Sequence, residues 1–125
     1  MTVSVANSEP KYDLEERTAT FGESVISLAK SIPVNLITTS LIPQLVRAAT
    51  AIGANFCEAD DAGSRKEFMY RVSLCKREAR ETKHWLRMIV KAEPALRESV
   101  VPLWQEAKEL NLIFSAIHRR KRTCE

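Results

Sequence analysis

Glu81 and His84 stand three residues apart, a spacing that puts a carboxylate and an imidazole on one helical face. Helical bundles that hold two metal ions use such Glu-x-x-His pairs, but they need a second pair from another helix. His118 is the only other histidine and has Ser115 three residues before it, while Glu58 is the only carboxylate in the body of the segment 41–59. The ligand count therefore fails, no metal or cofactor is expected, and His84 reads as partly exposed with Glu81 paired to a neighbouring cation. Neither histidine has a sequence signature pairing it with a serine or cysteine nucleophile, and no glycine-rich phosphate cradle is present. No catalytic residue is expected. Gly53 reads as a site of close helix contact and Gly63 as a left-handed turn.

Cationic residues are the larger chemical signal. Residues 1–60 carry 4 basic and 7 acidic side chains, net −3, whereas residues 61–125 carry 15 and 9, net +6. At about 100° per residue, Arg65, Lys76, Arg80, Lys83, Arg87 and Lys91 fall in one band roughly 80° wide, and Glu67, Glu78 and Glu81 collect elsewhere. The chain then ends in His118-Arg119-Arg120-Lys121-Arg122. Arg119, Arg120, Lys121 and Arg122 add to the ridge a cluster able to pair with phosphates through charge-assisted hydrogen bonds and counterion release. The ordinary alternative is a solvated flank and cations that complement a helix C-terminus. No aromatic side chain interleaves the ridge in sequence, so contact with the sugar-phosphate backbone is the expected mode.

Some residues break the apolar pattern in an informative way. Asn55 lies on an apolar stripe, where a buried amide commonly fixes register or oligomer state, and Glu58 and Glu78 are candidate partners for Arg47 or Arg80. Trp104 falls about 100° from its helix's core stripe, and Val101, Leu112 and Met69 also lie off the inward faces. Large apolar groups there are candidates for subunit contacts.

The elements that position these residues are helices. The 125 residues include 45% hydrophobic and 28% charged side chains with only 3 glycines, the composition of one globular domain rich in helix formers. Leu14, Thr18, Phe21, Val25, Leu28 and Ile32 recur at spacings of four and three, with Asp13 as N-cap and Pro33 as terminator. A second stripe runs through Leu41, Leu45, Ala48, Ile52, Asn55 and Ala59, widened by Ala49 and Phe56. It is capped either by Asn35, with Pro43 as a kink, or by Thr39 or Ser40, with Pro43 in the first turn. Ser64-x-x-Glu67 reads as a capping box opening a third helix through Phe68, Val72, Cys75, Ala79, Thr82, Leu86 and Ile89, which ends near Ala92. Ser99 is the expected cap of a fourth, which uses Val100, Leu103, Ala107, Leu110, Phe114 and Ile117. Four such stripes with short connections predict an all-α, antiparallel up-down four-helix bundle over 12–122, between a leader 1–11 and a tail 123–125.

Cys57, Cys75 and Cys124 are odd in number and form no C-x-x-C pair. Neither a disulfide framework nor a zinc site is expected, and Cys57 and Cys75, in helical apolar patterns, read as buried reduced thiols. No run approaches the roughly 18 apolar residues of a membrane span and Met1 to Lys11 lack the features of a secretion signal, so a cytoplasmic location is expected.

The run Arg47-Ala48-Ala49-Thr50-Ala51-Ile52-Gly53-Ala54-Asn55-Phe56-Cys57-Glu58-Ala59, with Ser64, Phe68, Lys76-Arg77-Glu78-Ala79-Arg80-Glu81-Thr82 and Trp85-Leu86, resembles the bacterial four-helix bundle proteins. These are also known as intervening-sequence proteins of large-subunit ribosomal RNA. The resemblance covers roughly residues 35 to 91. It departs from the family at His84, where an aromatic residue is common, and at Cys57. It implies an antiparallel bundle, assembly into a homopentamer and a role in binding RNA or DNA. A related branch, the accessory proteins of diversity-generating retroelements, implies the alternative of a protein-binding scaffold that partners a reverse transcriptase. The expected function is thus a non-enzymatic oligomer that binds structured RNA or DNA through basic surface.

Overall fold

The computed structural model describes residues 13–124, with side chains through residue 120. The leader 1–11, the side chains of Lys121 and Arg122 and those of the tail 123–125 lie outside the described residues. Four helices order the chain: α1 (Leu14–Ser31), α2 (Thr38–Asp60), α3 (Arg65–Ala92) and α4 (Arg97–Cys124), with a short 3-10 turn at Pro94–Leu96. Among the described residues there is no strand.

Each helix start has a local cause. The Asp13 carboxylate accepts the Glu16 amide at 3.3 Å and opens α1. Asn35 governs α2, because its Oδ1 accepts the amides of Ile37 and Thr38 at 2.9 and 3.0 Å. Pro43 consequently lies inside α2 rather than in its first turn. Ser64 caps α3 by accepting the Glu67 amide at 3.1 Å, and Glu67 reaches back to the Gly63 amide at 3.4 Å. The fourth helix departs from expectation. Ser99 is not its cap, since the 3-10 turn feeds directly into Arg97 and starts α4 ahead of it, leaving Pro102 inside the helix.

The apolar stripes become the core. All six residues of the α1 stripe are buried, as are Leu45, Ala48, Ala49, Ile52 and Ala59 of α2. From α3 come Val72, Cys75, Ala79, Thr82, Leu86 and Ile89, and from α4 Val100, Ala107, Leu110 and Phe114. The rings of Phe56 and Phe114 meet across the bundle with centroids 5.9 Å apart, so α2 and α4 touch through the centre.

Short turns make consecutive helices antiparallel neighbours. The α1–α2 and α3–α4 turns share one end of the bundle, where Asn35 donates to the Glu93 carboxylate at 3.2 Å. Side by side, α1 and α2 approach closely: a Cβ on Gly53 would stand 3.2 Å from Thr18 Oγ1. Gly53 is the close contact expected of it. Gly63 is not left-handed, because no described residue has a positive φ.

Helices α2 and α3 and helices α3 and α4 share the fullest seams, and α1 against α4 the thinnest. A recess of about 420 Å³ opens along that thin seam beside Ser24, Ser27, Ser31, Ser99 and Pro102. Farther along the seam, Arg17 ties α1 to α4 with a two-toothed grip on Glu106, at 2.7 and 2.9 Å. The bond to Glu106 holds the Arg17 pKa above its ordinary value against the opposing effect of burial.

Candidate nucleic-acid interface

The two flanks of α3 carry opposite electrostatics. Toward α2, Glu78 is buried and receives Arg47 Nη1 at 3.3 Å, with Arg77 at 3.7 Å, while Glu81 takes Arg47 Nη2 at 3.1 Å. The carboxylates of that flank are therefore neutralised within the protein. Toward α4 the flank is cationic, and contacts between the helices fix its register. Asn111 Nδ2 donates to the Lys76 carbonyl at 2.8 Å, and the Lys83 ammonium lies 5.4 Å from the Trp104 ring centroid. One further turn along, Arg87 and Lys91 border a recess with Arg97 and Val101.

The expected ridge thus follows the α3/α4 seam. Arg80, Arg87 and Lys91 are exposed, Lys76 and Lys83 half-buried, and Arg65 is exposed at the start of α3. Among the described residues, no carboxylate pairs with Arg80, Arg87, Lys91 or Arg97. Arg119 and Arg120 are exposed near the end of α4. The antiparallel register carries Arg119 to the level of Phe68, one turn from Arg65. From Arg97 to Arg119 the strip is about 33 Å long at 1.5 Å per residue.

Arg97 and Lys108 belong to this strip and escape the analysis of α3 alone. Their signal is the recurrence of Arg97, Val101, Trp104 and Lys108 at spacings of four, three and four on α4. The structure also corrects the absence of aromatic interleaving. Lys108 lies 5.7 Å from the Trp104 centroid, so the indole stands between two ammonium groups from different helices. Trp104 is half-buried against the edge of the core, Met69 is half-buried, and Val101 and Leu112 are exposed.

The remaining candidates separate. Asn55 is half-buried; its amide donates to the Ala51 carbonyl at 2.9 Å and accepts from Arg71 Nη1 at 3.3 Å, linking α2 to α3. Glu58 is exposed. Cys75 is buried as expected, its thiol 3.5 Å from the Ile52 carbonyl, and burial pushes its pKa up to about 12. Cys57 is exposed, contrary to expectation, because it lies on the outer rim of the α1/α2 contact near Gly53 and Ala54 rather than on the inward stripe. His84 is exposed with its ring 5.0 Å from that of Trp85. Among the described residues no three His, Cys, Asp or Glu side chains gather as metal ligands would. None of the described helices is long and apolar enough to cross a membrane.

A family model described as "23S rRNA-intervening sequence protein" matches residues 11–116, which take in α1 to α3 and most of α4. The chain belongs to this family. A solved structure has the same fold: a protein of unknown function from the S23 ribosomal protein family of Bacteroides thetaiotaomicron. It is 26% identical with a TM-score of 0.75, and the match covers 87% of this chain and 97% of that one. No curated protein matches. The match to the intervening-sequence family spans the long central run with Ser64 and Phe68. That run builds the α2/α3 hairpin and contributes Lys76 and Arg80 to the cationic strip.

Proposed function

We propose that this protein is a non-enzymatic homo-oligomer that binds structured RNA or DNA along the α3/α4 seam. The observation that carries the reading is the sorting of charge on α3: its buried carboxylate is matched inside the bundle, whereas Arg80, Arg87 and Lys91 on the other flank meet no carboxylate among the described residues and can serve an outside anion. A strip of this kind neutralises a few phosphates per subunit, and each contributes a slope of about −0.9 in log K against log salt on duplex DNA. Single-subunit binding is then weak at physiological salt. Repetition around a closed ring, a pentamer as the family resemblance implies, raises it through effective concentration. Leu112 offers exposed apolar surface for the subunit contact, and Met69 a half-buried one.

The test is a salt titration with unrelated RNA and DNA, followed by fluorescence anisotropy, on protein whose assembly is fixed by native mass measurement. Affinity should fall steeply with salt, and the joint substitution of Arg80, Lys83 and Arg87 by Gln should flatten the slope by two to three contacts. Salt-insensitive binding, or none in dilute buffer, overturns the reading. A lone monomer by native mass overturns its oligomeric part.

A second reading, an adaptor for a protein such as a reverse transcriptase, is favoured by one observation. The α1–α2 turn presents Val34, Leu36 and Ile37 to solvent, with Leu36 94% exposed. A partner held there is released by Leu36→Ser, a change that leaves polyanion affinity alone.

A further inference from the structure

The recess at the turn end of the seam has a chemistry that phosphate contacts alone do not use. About 590 Å³ in volume, it lies within the roughly 300–1,000 Å³ range of small-molecule sites, and its walls combine Arg87, Lys91 and Arg97 with Val101, Trp104 and Gln105. Three cations from two helices line the same recess as one indole. We propose that this recess takes an unstacked nucleotide, with the base against Trp104 and Val101 and the phosphate among Arg87, Lys91 and Arg97. The proposal rests on the nucleic-acid reading above and adds what the strip recognises: a nucleotide whose base is free of a helix.

Charge and shape both favour this ligand. A lone carboxylate leaves most of the positive charge in the recess unanswered, whereas a phosphate accepts from several donors and matches the planar forks of Arg87 and Arg97. An aliphatic acid leaves the indole unused. Arg97 and Trp104 are two helical turns apart, about 10 Å along α4, a span that one nucleotide covers from phosphate to base. Lys83 and Lys108 already attend the indole. A base that displaces one of them exchanges an exposed cation–π contact for stacking, the stronger of the two, and frees an ammonium for the neighbouring phosphate. Bases inside a duplex are stacked and paired, so duplex meets the strip only through its backbone.

The test compares a single-stranded oligouridylate, a duplex with the same number of phosphates, and free adenosine monophosphate beside adenosine. It uses the full-length protein and the variants Trp104→Leu, Trp104→Phe and Arg97→Gln, each checked for native mass and helical circular dichroism. Binding is read by anisotropy and by quenching of indole fluorescence. The single strand should bind roughly tenfold more tightly than the duplex. Trp104→Leu should abolish that preference while sparing the salt-dependent duplex affinity, and Trp104→Phe should keep part of it. Arg97→Gln, at an exposed site away from the core, should weaken the single strand more than the duplex even if Trp104→Leu unfolds. Adenosine monophosphate that quenches more strongly than adenosine, without a strand preference, supports the recess and makes a free nucleotide its source. Equal binding of single strand and duplex with no response to the mononucleotide overturns the proposal and leaves the phosphate strip standing. Loss of every polyanion interaction sinks both. Dissociation of the oligomer by Trp104→Leu with the strand preference intact would reassign the indole to a subunit contact.

Discussion

Beneath Arg47 and Arg77, Glu78 is only 5% exposed, and both arginines are largely in water. Removing one partner of a fully buried pair costs about 3–5 kcal/mol. Here Arg77 remains and Arg47 is 52% exposed, so Arg47→Ala should destabilise by about 1–2 kcal/mol, read as a lower urea midpoint. Arg77→Ala, whose contact is longer, should cost less. Cys75 provides a test by pH. Its thiol is held near 12 in the fold against 9.0 when unfolded, so the native state retains a proton that the unfolded chain loses. That contribution is complete below pH 9 and disappears as pH rises toward 12, because deprotonation then favours the unfolded chain. Urea midpoints of the wild type should therefore fall more steeply above pH 9 than those of Cys75→Ala; parallel curves would refute the assignment. The buried carboxylate is visible in the sequence as a candidate partner of Arg47, whereas the different fates of Cys57 and Cys75 are not. Both lie in helical apolar patterns, and packing separates them: Cys75 faces the Ile52 carbonyl across the α2/α3 seam, whereas Cys57 sits on the rim of the α1/α2 contact.

For the helices themselves, glycines separate propensity from packing. At Gly22 a Cβ would meet Thr50 at 3.7 Å, an ordinary contact, and at Gly63 it would meet nothing within 4 Å. Gly22→Ala should gain about 0.5–1 kcal/mol in guanidinium unfolding, the difference in helix propensity. Gly63→Ala should be neutral or gain a few tenths through the unfolded chain. Gly53→Ala should lose stability despite the same propensity gain, because Thr18 is buried and its hydroxyl is fixed on the Leu14 carbonyl at 2.7 Å. If all three stabilise, the α1/α2 contact is looser than described. Helix starts with a side-chain cap, at Asp13 and Ser64, are legible because one residue and its acceptor geometry decide them. The start of α4 is not, because a 3-10 turn can hand its hydrogen bonds on without any capping side chain, and this hides the boundary behind a plausible Ser99.

For the molecule, the four apolar stripes were enough to assign a bundle, since every stripe needs a partner and short turns leave few arrangements. They were not enough to show which flank of α3 lies toward α4. A helical wheel fixes angles about one axis and is silent on which neighbour stands at each angle. The pairing of Trp104 with Lys83 depends on that missing handedness, and with it the character of the strip.

The serine-lined seam between α1 and α4 has a dynamic consequence. Short polar side chains fill it poorly, and its main tie, Arg17 to Glu106, is about one third in water at both ends. The first helix is then the stave of this barrel that loosens before the hoop breaks. Its amides should trade hydrogen for deuterium sooner than those in the middle of α3, by mass spectrometry of native protein. Equal protection of the two would mean that the seam parts only when everything does.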